Sequence, residues 1–297
     1  MANDILRVGI IQTSLDYSNA WDQSAAWPGS VQISLLEEAR AKKEIRHHLA
    51  SLRGFEHPAD IVMLPELSVP IGYENKLIKA AEKLESIVIA GLDYKVESFN
   101  PRKVSNEAIV IVPSKINGKR IAASTSVRRV GKTYAAPQEA AALEKGSIEF
   151  VPNPTVWLFK SGELGDFGVA VCYDFMDLDR ISMYRTKIQT LFILAYNRDT
   201  TSFHHMAESI SRTVFCNVVV CNCGYYGDSL AVSPFRESYE RTVYRHSGLK
   251  LPNAQIVELP LESLRLQQSG STKSGRFKNL PPGYKDFWKL VEKDEVL

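Results

Sequence analysis

Short apolar runs alternate with amphipathic stretches along this chain, and the alternation predicts strands interleaved with helices. Residues 5–13, ILRVGIIQT, read as a strand. Residues 32–52 read as an amphipathic helix, because Leu36, Ala39, Ile45, Leu49 and Leu52 recur at roughly helical spacing. A short apolar strand at 60–64 precedes a helix at 74–84 and a further strand from Ser86 in SIVIAGLDY. EAIVIVPS and INGKRIAASTSV read as a hairpin turning at Asn117-Gly118, residues that accept the positive φ of a tight turn. Strands at 156–159 and 167–172 bracket KSGELGD, a loop by composition. A strand at 191–195, a helix at 204–215 and a strand at 217–221 follow, with three more strands near Leu230, Val243 and Ile256.

This inventory holds too many strands for one regular parallel sheet, and the hairpins argue for mixed sheets. An α/β arrangement of two packed sheets with helices outside accommodates it. There is no internal repeat and no interior linker. Composition changes only after Leu264, where the chain becomes polar and basic and ends in a candidate short helix. The expected organisation is therefore one domain, 1–264, and a tail, 265–297, read as solvated or as an arm that docks a partner.

Composition narrows the classes. Of the 297 residues 44% are hydrophobic and 24% charged, ordinary values for a soluble globular protein. The net charge of +2 gives no reason to expect nucleic acid or an acidic lipid surface as a partner. No apolar run approaches the roughly 18 residues of a membrane span, and no basic leader precedes the first strand. Four cysteines, at 172, 216, 221 and 223, form no spaced disulfide framework, which points to a reduced, cytoplasmic setting. Cys221 and Cys223 fall on one face of a strand; with only His204-His205 nearby and no zinc spacing, they read as core thiols. Neither metal nor cofactor is expected.

Candidate chemistry centres on VAVCYDFMD, where an apolar strand stops at Cys172 and turns acidic. Alone, Cys172 reads as a buried structural thiol. Two other stretches change that. DIVMLPELSVP puts Glu66 at a strand end, and VRRVGKTYAAPQEAAALEKG puts Lys132 after a strand with Glu139 downstream. In this order they resemble the nitrilase superfamily of carbon–nitrogen hydrolases, whose members carry a Glu–Lys–Cys triad. Glu66 in LPEL matches the first glutamate, Lys132 the lysine, Cys172 in VCYD the nucleophile and Glu139 the second glutamate. SISRTVFCNVVVCNCGYYGDSLAVSP is similar to the family's downstream segment, so the likeness runs over residues 5–261.

The resemblance implies a four-layer α-β-β-α sandwich, a homodimer, and thiol-dependent hydrolysis of a small-molecule amide, either a primary carboxamide or an N-carbamoyl compound. Cys172 would attack, Glu66 would act as base and then acid, Lys132 and the Tyr173 backbone N–H would face the oxyanion, and Glu139 would orient Lys132 or substrate. Alternatives are a true nitrilase, or a regulatory or scaffolding unit inside a larger assembly, for example with a synthetase or a defence-associated reverse transcriptase. The sequence departs from the family after CYD: Met176 stands where an arginine is usual and Asp179 where a glutamate is usual.

Overall fold

A computed structural model describes residues 4–21, 31–271 and 275–285. Among them, twelve strands make two six-stranded mixed sheets. The first sheet contains β1 (Ile5–Gln12), β2 (Ile61–Val69), β3 (Ile87–Leu92), β4 (Glu107–Val112) and β5 (Ser126–Gly131). The second contains β6 (Leu158–Phe159), β7 (Phe167–Val171), β8 (Thr190–Ala195), β9 (Asn217–Asn222), β10 (Ser229–Val232) and β11 (Thr242–His246). The last strand, β12 (Asn253–Pro260), returns to the edge of the first sheet, giving the orders β12-β1-β2-β3-β4-β5 and β6-β7-β8-β9-β10-β11. Each sheet has a central parallel triplet, β1-β2-β3 or β7-β8-β9, with antiparallel partners outside it.

Alternation along the strands separates two cores. Leu6, Val8, Ile10, Ile61 and Met63 pack with Val169, Val171, Phe192 and Val219 between the sheets. Ile11, Val62 and Leu64 point the other way, onto Ile45, Leu49 and Leu52 of helix α1 (Leu35–Leu52) and Leu77 and Ala81 of α2 (Glu74–Leu84). On the second sheet, α4 (Thr200–Ile210), which follows α3 (Pro137–Lys145) in the chain, buries Phe203, Ala207 and Ile210. This packing follows the expected order of an α-β-β-α sandwich. A side-chain period of two, with both faces covered, is what makes these strands read as continuous apolar runs.

Local differences from expectation have local causes. Helix α1 starts at Leu35 because Ser34 caps it, its hydroxyl accepting the Glu37 N–H. Helix α4 starts at Thr200, with Asp199 accepting the Ser202 N–H, and residues 211–215 wind into a wider π turn. β4 and β5 pair as the expected hairpin, while Asn117-Gly118 closes a separate two-residue ladder at its tip. A small sheet of Lys95–Phe99, Arg102–Ser105 and Glu149–Phe150 was not expected; its polar, half-exposed residues carry no apolar run.

The expected solvated tail is packed over its described part. Helix α5 (Glu262–Ser269) buries Leu264, Gln267 and Gln268. Phe277 is fully buried with Phe215, Phe235, Leu264 and Tyr284, and pairs with Phe235 through a backbone bridge. The few aromatics in a polar stretch suffice to dock it. The candidate terminal helix lies outside the described residues.

Candidate active site

Glu66 sits in a bulge. Leu64 pairs with Ala90 and Val69 with Leu92, so residues 65–68 arch out opposite Gly91 alone. Leu67 takes φ +54°, and the Ser68 hydroxyl closes the arch by donating to the Pro65 carbonyl at 2.7 Å. A Cβ on Gly91 would lie 2.3 Å from the Glu66 Cα and 2.4 Å from the Pro65 carbonyl oxygen, so glycine is required where the arch crosses β3.

Cys172 follows β7 and opens a 3-10 turn at φ +47°, a left-handed conformation that costs a β-carbon residue roughly 1–2 kcal/mol. Asp174 holds this turn. Its fully buried carboxylate accepts the Thr133 N–H at 2.9 and 3.0 Å and the Tyr134 N–H at 3.0 Å, and faces Arg180 at 3.5 Å. Arg180 donates to the Thr133 hydroxyl at 2.6 Å and to the Thr155 carbonyl at 2.9 Å. The turn bearing Cys172 is thereby bolted to the residue after Lys132.

Lys132 follows β5; its N–H donates to the Asn106 carbonyl at 2.8 Å. The ammonium donates to Glu66 Oε1 at 2.8 Å and to Glu139 Oε2 at 2.5 Å. Glu139 lies in the first turn of α3, where a carboxylate complements the exposed N–H groups, and it accepts the Ala136 N–H at 3.0 Å. Tyr94 donates its hydroxyl to Glu139 Oε1 at 2.6 Å. Asn106 Nδ2 reaches Glu66 Oε1 at 2.8 Å and Glu139 Oε1 at 3.4 Å, and the Tyr196 N–H donates to Glu66 Oε2 at 2.9 Å.

Burial works against the Lys132 charge, but Glu139, Glu66 and Cys172 outweigh it and hold its pKa well above the usual lysine range. Burial likewise opposes the Glu139 charge, yet Lys132, Tyr94 and the Ala136 N–H hold that carboxyl below its usual range. Burial pushes the Cys172 thiol well up, Glu66 adds to the shift, and Lys132 and the Tyr196 N–H only partly offset it. The Lys132 charge favours a thiolate but is outweighed. Cys172 Sγ therefore holds its proton more tightly than a free cysteine does, next to the Glu66 carboxyl group.

Glu66, Lys132, Glu139 and Cys172 all line one cavity of about 330 Å³, and Tyr173 borders it. Met176 lines it too, whereas Asp179 is exposed and lies outside it. The other three thiols are fully buried; Cys221 contacts the Ile11 carbonyl and Cys223 the Thr13 carbonyl, both on the face toward β1. Among the described residues no cluster of His, Cys, Asp or Glu is arranged to hold a metal. Sequence reasoning missed Asn106, Tyr94, Asp174, Arg180 and the Tyr196 N–H. Asn106, polar and just ahead of β4, and Asp174, acidic and two positions after Cys172, had local signals.

No protein-family model matches the chain, and no curated protein matches it by sequence. Solved structures do match. An amidase from Nesterenkonia sp. AN1, in a mutant carrying the acetamide moiety of fluoroacetamide on its active-site cysteine, superposes with a TM-score of 0.59 at 15% identity, covering 86% of this chain and 90% of that one. Nit3 of Saccharomyces cerevisiae, a member of branch 10 of the nitrilase superfamily, gives 0.59 at 17% identity over 93% of this chain and 98% of its own. The chain has the nitrilase fold. In this nitrilase fold Glu66, Lys132 and Cys172 sit in the arch of β2 and just past β5 and β7. The nitrilase core thus brings together from both sheets groups that lie far apart in sequence.

Proposed function

We propose that this protein hydrolyses the C–N bond of a small-molecule amide through an acyl-enzyme on Cys172. The observation that carries the reading is one buried ammonium clamped between two carboxylates, beside a thiol on a strained strand-end turn, all facing one cavity. The Nesterenkonia amidase supports it, since its active-site cysteine takes up the acetamide moiety of fluoroacetamide.

In this mechanism Glu66 removes the thiol proton as Cys172 Sγ bonds to the amide carbon. The carbonyl π electrons move to oxygen, where the Lys132 ammonium and the Tyr173 N–H stabilise them. The tetrahedral species collapses, the C–N bond breaks, and Glu66 returns the proton to the leaving nitrogen. Water then attacks the thioester, with Glu66 again as base, releasing the carboxylic acid and restoring the thiol. Glu139 stays outside this proton path. It fixes the Lys132 ammonium as a second carboxylate partner beside Glu66. The preferred substrates are primary carboxamides, with N-carbamoyl compounds the other class.

Ammonia release from acetamide, butyramide, an uncharged N-carbamoyl amine and the matching nitriles tests the reading. The expected result is turnover of amides by the wild type, none by Cys172→Ala or Glu66→Gln, and slowed turnover by Glu139→Gln. Release from none of the panel, or undiminished release by Cys172→Ala, would sink it. Faster turnover of nitriles than amides would make the protein a true nitrilase.

A further inference from the structure

The cavity at Cys172 has two unlike halves. One is the charged group at Lys132. The other is a wall formed by Trp21, Tyr94, Tyr196, Tyr226 and Phe203, with Met176 at its mouth. The rings of this wall brace one another. Trp21 stands edge-on to Tyr94 at 6.2 Å and to Tyr196 at 5.7 Å, and Tyr196 stands edge-on to Tyr226 at 5.5 Å. Two of the hydroxyls are engaged within the protein: Tyr94 with Glu139 at 2.6 Å, Tyr196 with the Leu15 carbonyl at 3.3 Å. What these two residues offer a ligand is ring carbon.

The cation beside Cys172 is already answered. Lys132 is clamped by Glu66 and Glu139. Arg198 lies at the exposed rim beside Asp199, whose carboxyl pKa it helps to lower after the hydrogen bonds from Ser202. A carboxylate carried deep into the cavity would therefore meet Glu66 and Glu139 with only the already clamped Lys132 beside them. A volume of about 330 Å³ lies near the lower end of the roughly 300–1,000 Å³ typical of ligand pockets, which suits a small molecule.

Resting on the amide-hydrolase reading, we infer that the substrate is a small primary amide whose acyl group is flat and apolar, an aryl or arylalkyl group seated against the Trp21–Tyr196–Tyr226 wall. Amides with a negatively charged acyl group are rejected. The acyl carbon then reaches Cys172 while the rings exclude water from the rest of the group.

The test compares kcat/KM for phenylacetamide, acetamide and succinamate. Phenylacetamide should exceed each of the others by about ten-fold or more, the scale on which an apolar pocket discriminates. Met176→Lys, at a side chain 41% exposed and so tolerant of substitution, should shrink that ratio and raise relative turnover of succinamate. Turnover of acetamide or succinamate at or above that of phenylacetamide overturns the substrate class and leaves the hydrolase reading standing. If no amide is turned over, ligand-observed NMR on Cys172→Ala decides. Binding of phenylacetamide but not succinamate supports the aromatic subsite though the hydrolase reading has failed, and binding of neither overturns both.

Discussion

Replacing Gly91 by alanine should disable the site from the far side of a strand. The new Cβ would stand 2.3 Å from the Glu66 Cα, 2.4 Å from the Pro65 oxygen and 2.8 Å from the Glu66 nitrogen. All three are backbone atoms, so no side-chain rotation relieves the clash. Ordinary contact at about 3.4 Å requires the arch at 65–68 to move by about 1 Å. Glu66 would move with it, out of its present position against Lys132 and Cys172. Overpacking of this kind costs about 1–3 kcal/mol in stability, and a misplacement of about 1 Å at a reacting group costs about 100-fold in rate. The assay is kcat/KM for amide hydrolysis, measured well below the Tm and normalised to folded protein by circular dichroism. Gly72→Ala is the matched control, since a Cβ there meets nothing within 4 Å. If Gly91→Ala folds and keeps activity within about two-fold of Gly72→Ala, the arch does not aim Glu66 and this reasoning fails.

Lys132→Met should lower turnover by about 100- to 1000-fold, and by leaving Glu66 and Glu139 buried without their cation it should destabilise the fold by about 3–5 kcal/mol, read by denaturant unfolding. Burial raises the Asp93 carboxyl from 3.8 to about 7, against the Ile33 and Tyr94 N–H groups that it accepts. A raised acid holds its proton better folded than unfolded, so its stabilising contribution is full below pH 3.8 and declines as pH rises to about 7. Relative to Asp93→Asn, the wild type should therefore lose stability across that window, by on the order of 4 kcal/mol; a pH-independent difference would contradict this. Phe277→Ala should cost about 3–5 kcal/mol, measured by thermal unfolding, because the ring is fully buried on Phe235; an unchanged Tm would restore the solvated tail.

The central strands were legible in the sequence because both faces of their sheets are covered, which leaves runs such as IVML and LFILA with no polar interruption. Glu66, Lys132, Cys172 and Glu139 stood out in the sequence as motif residues, and the structure brings all four to one cavity. What supports them was not legible. Asn106 meets Glu66 across 40 residues and Tyr94 meets Glu139 across 45, pairings that only the sheet order creates. Asp174 and Arg180 lie close in sequence, but their partner Thr133 arrives from the other sheet. The bulge at 65–68 was also hidden, since the expected strand stopped at Leu64, whereas the chain arches over Gly91 and resumes pairing at Val69. In the tail, Phe277 and Tyr284 were lost in an average taken over a polar, basic stretch. The Cys172 thiol depends on a balance of opposed influences from Glu66 and Lys132, and no residue pattern gives the outcome of that balance.

Rapid-quench intact-mass spectrometry during amide turnover, followed by peptide mapping, tests the account most directly. Cys172 lines the cavity, while Cys216, Cys221 and Cys223 are fully buried. The wild type should show a mass gain equal to the acyl group of the supplied amide, located on the peptide containing Cys172 and absent from Cys172→Ala. Ammonia released without any adduct, with Cys172→Ala still turning over, would show that the bond is cleaved some other way.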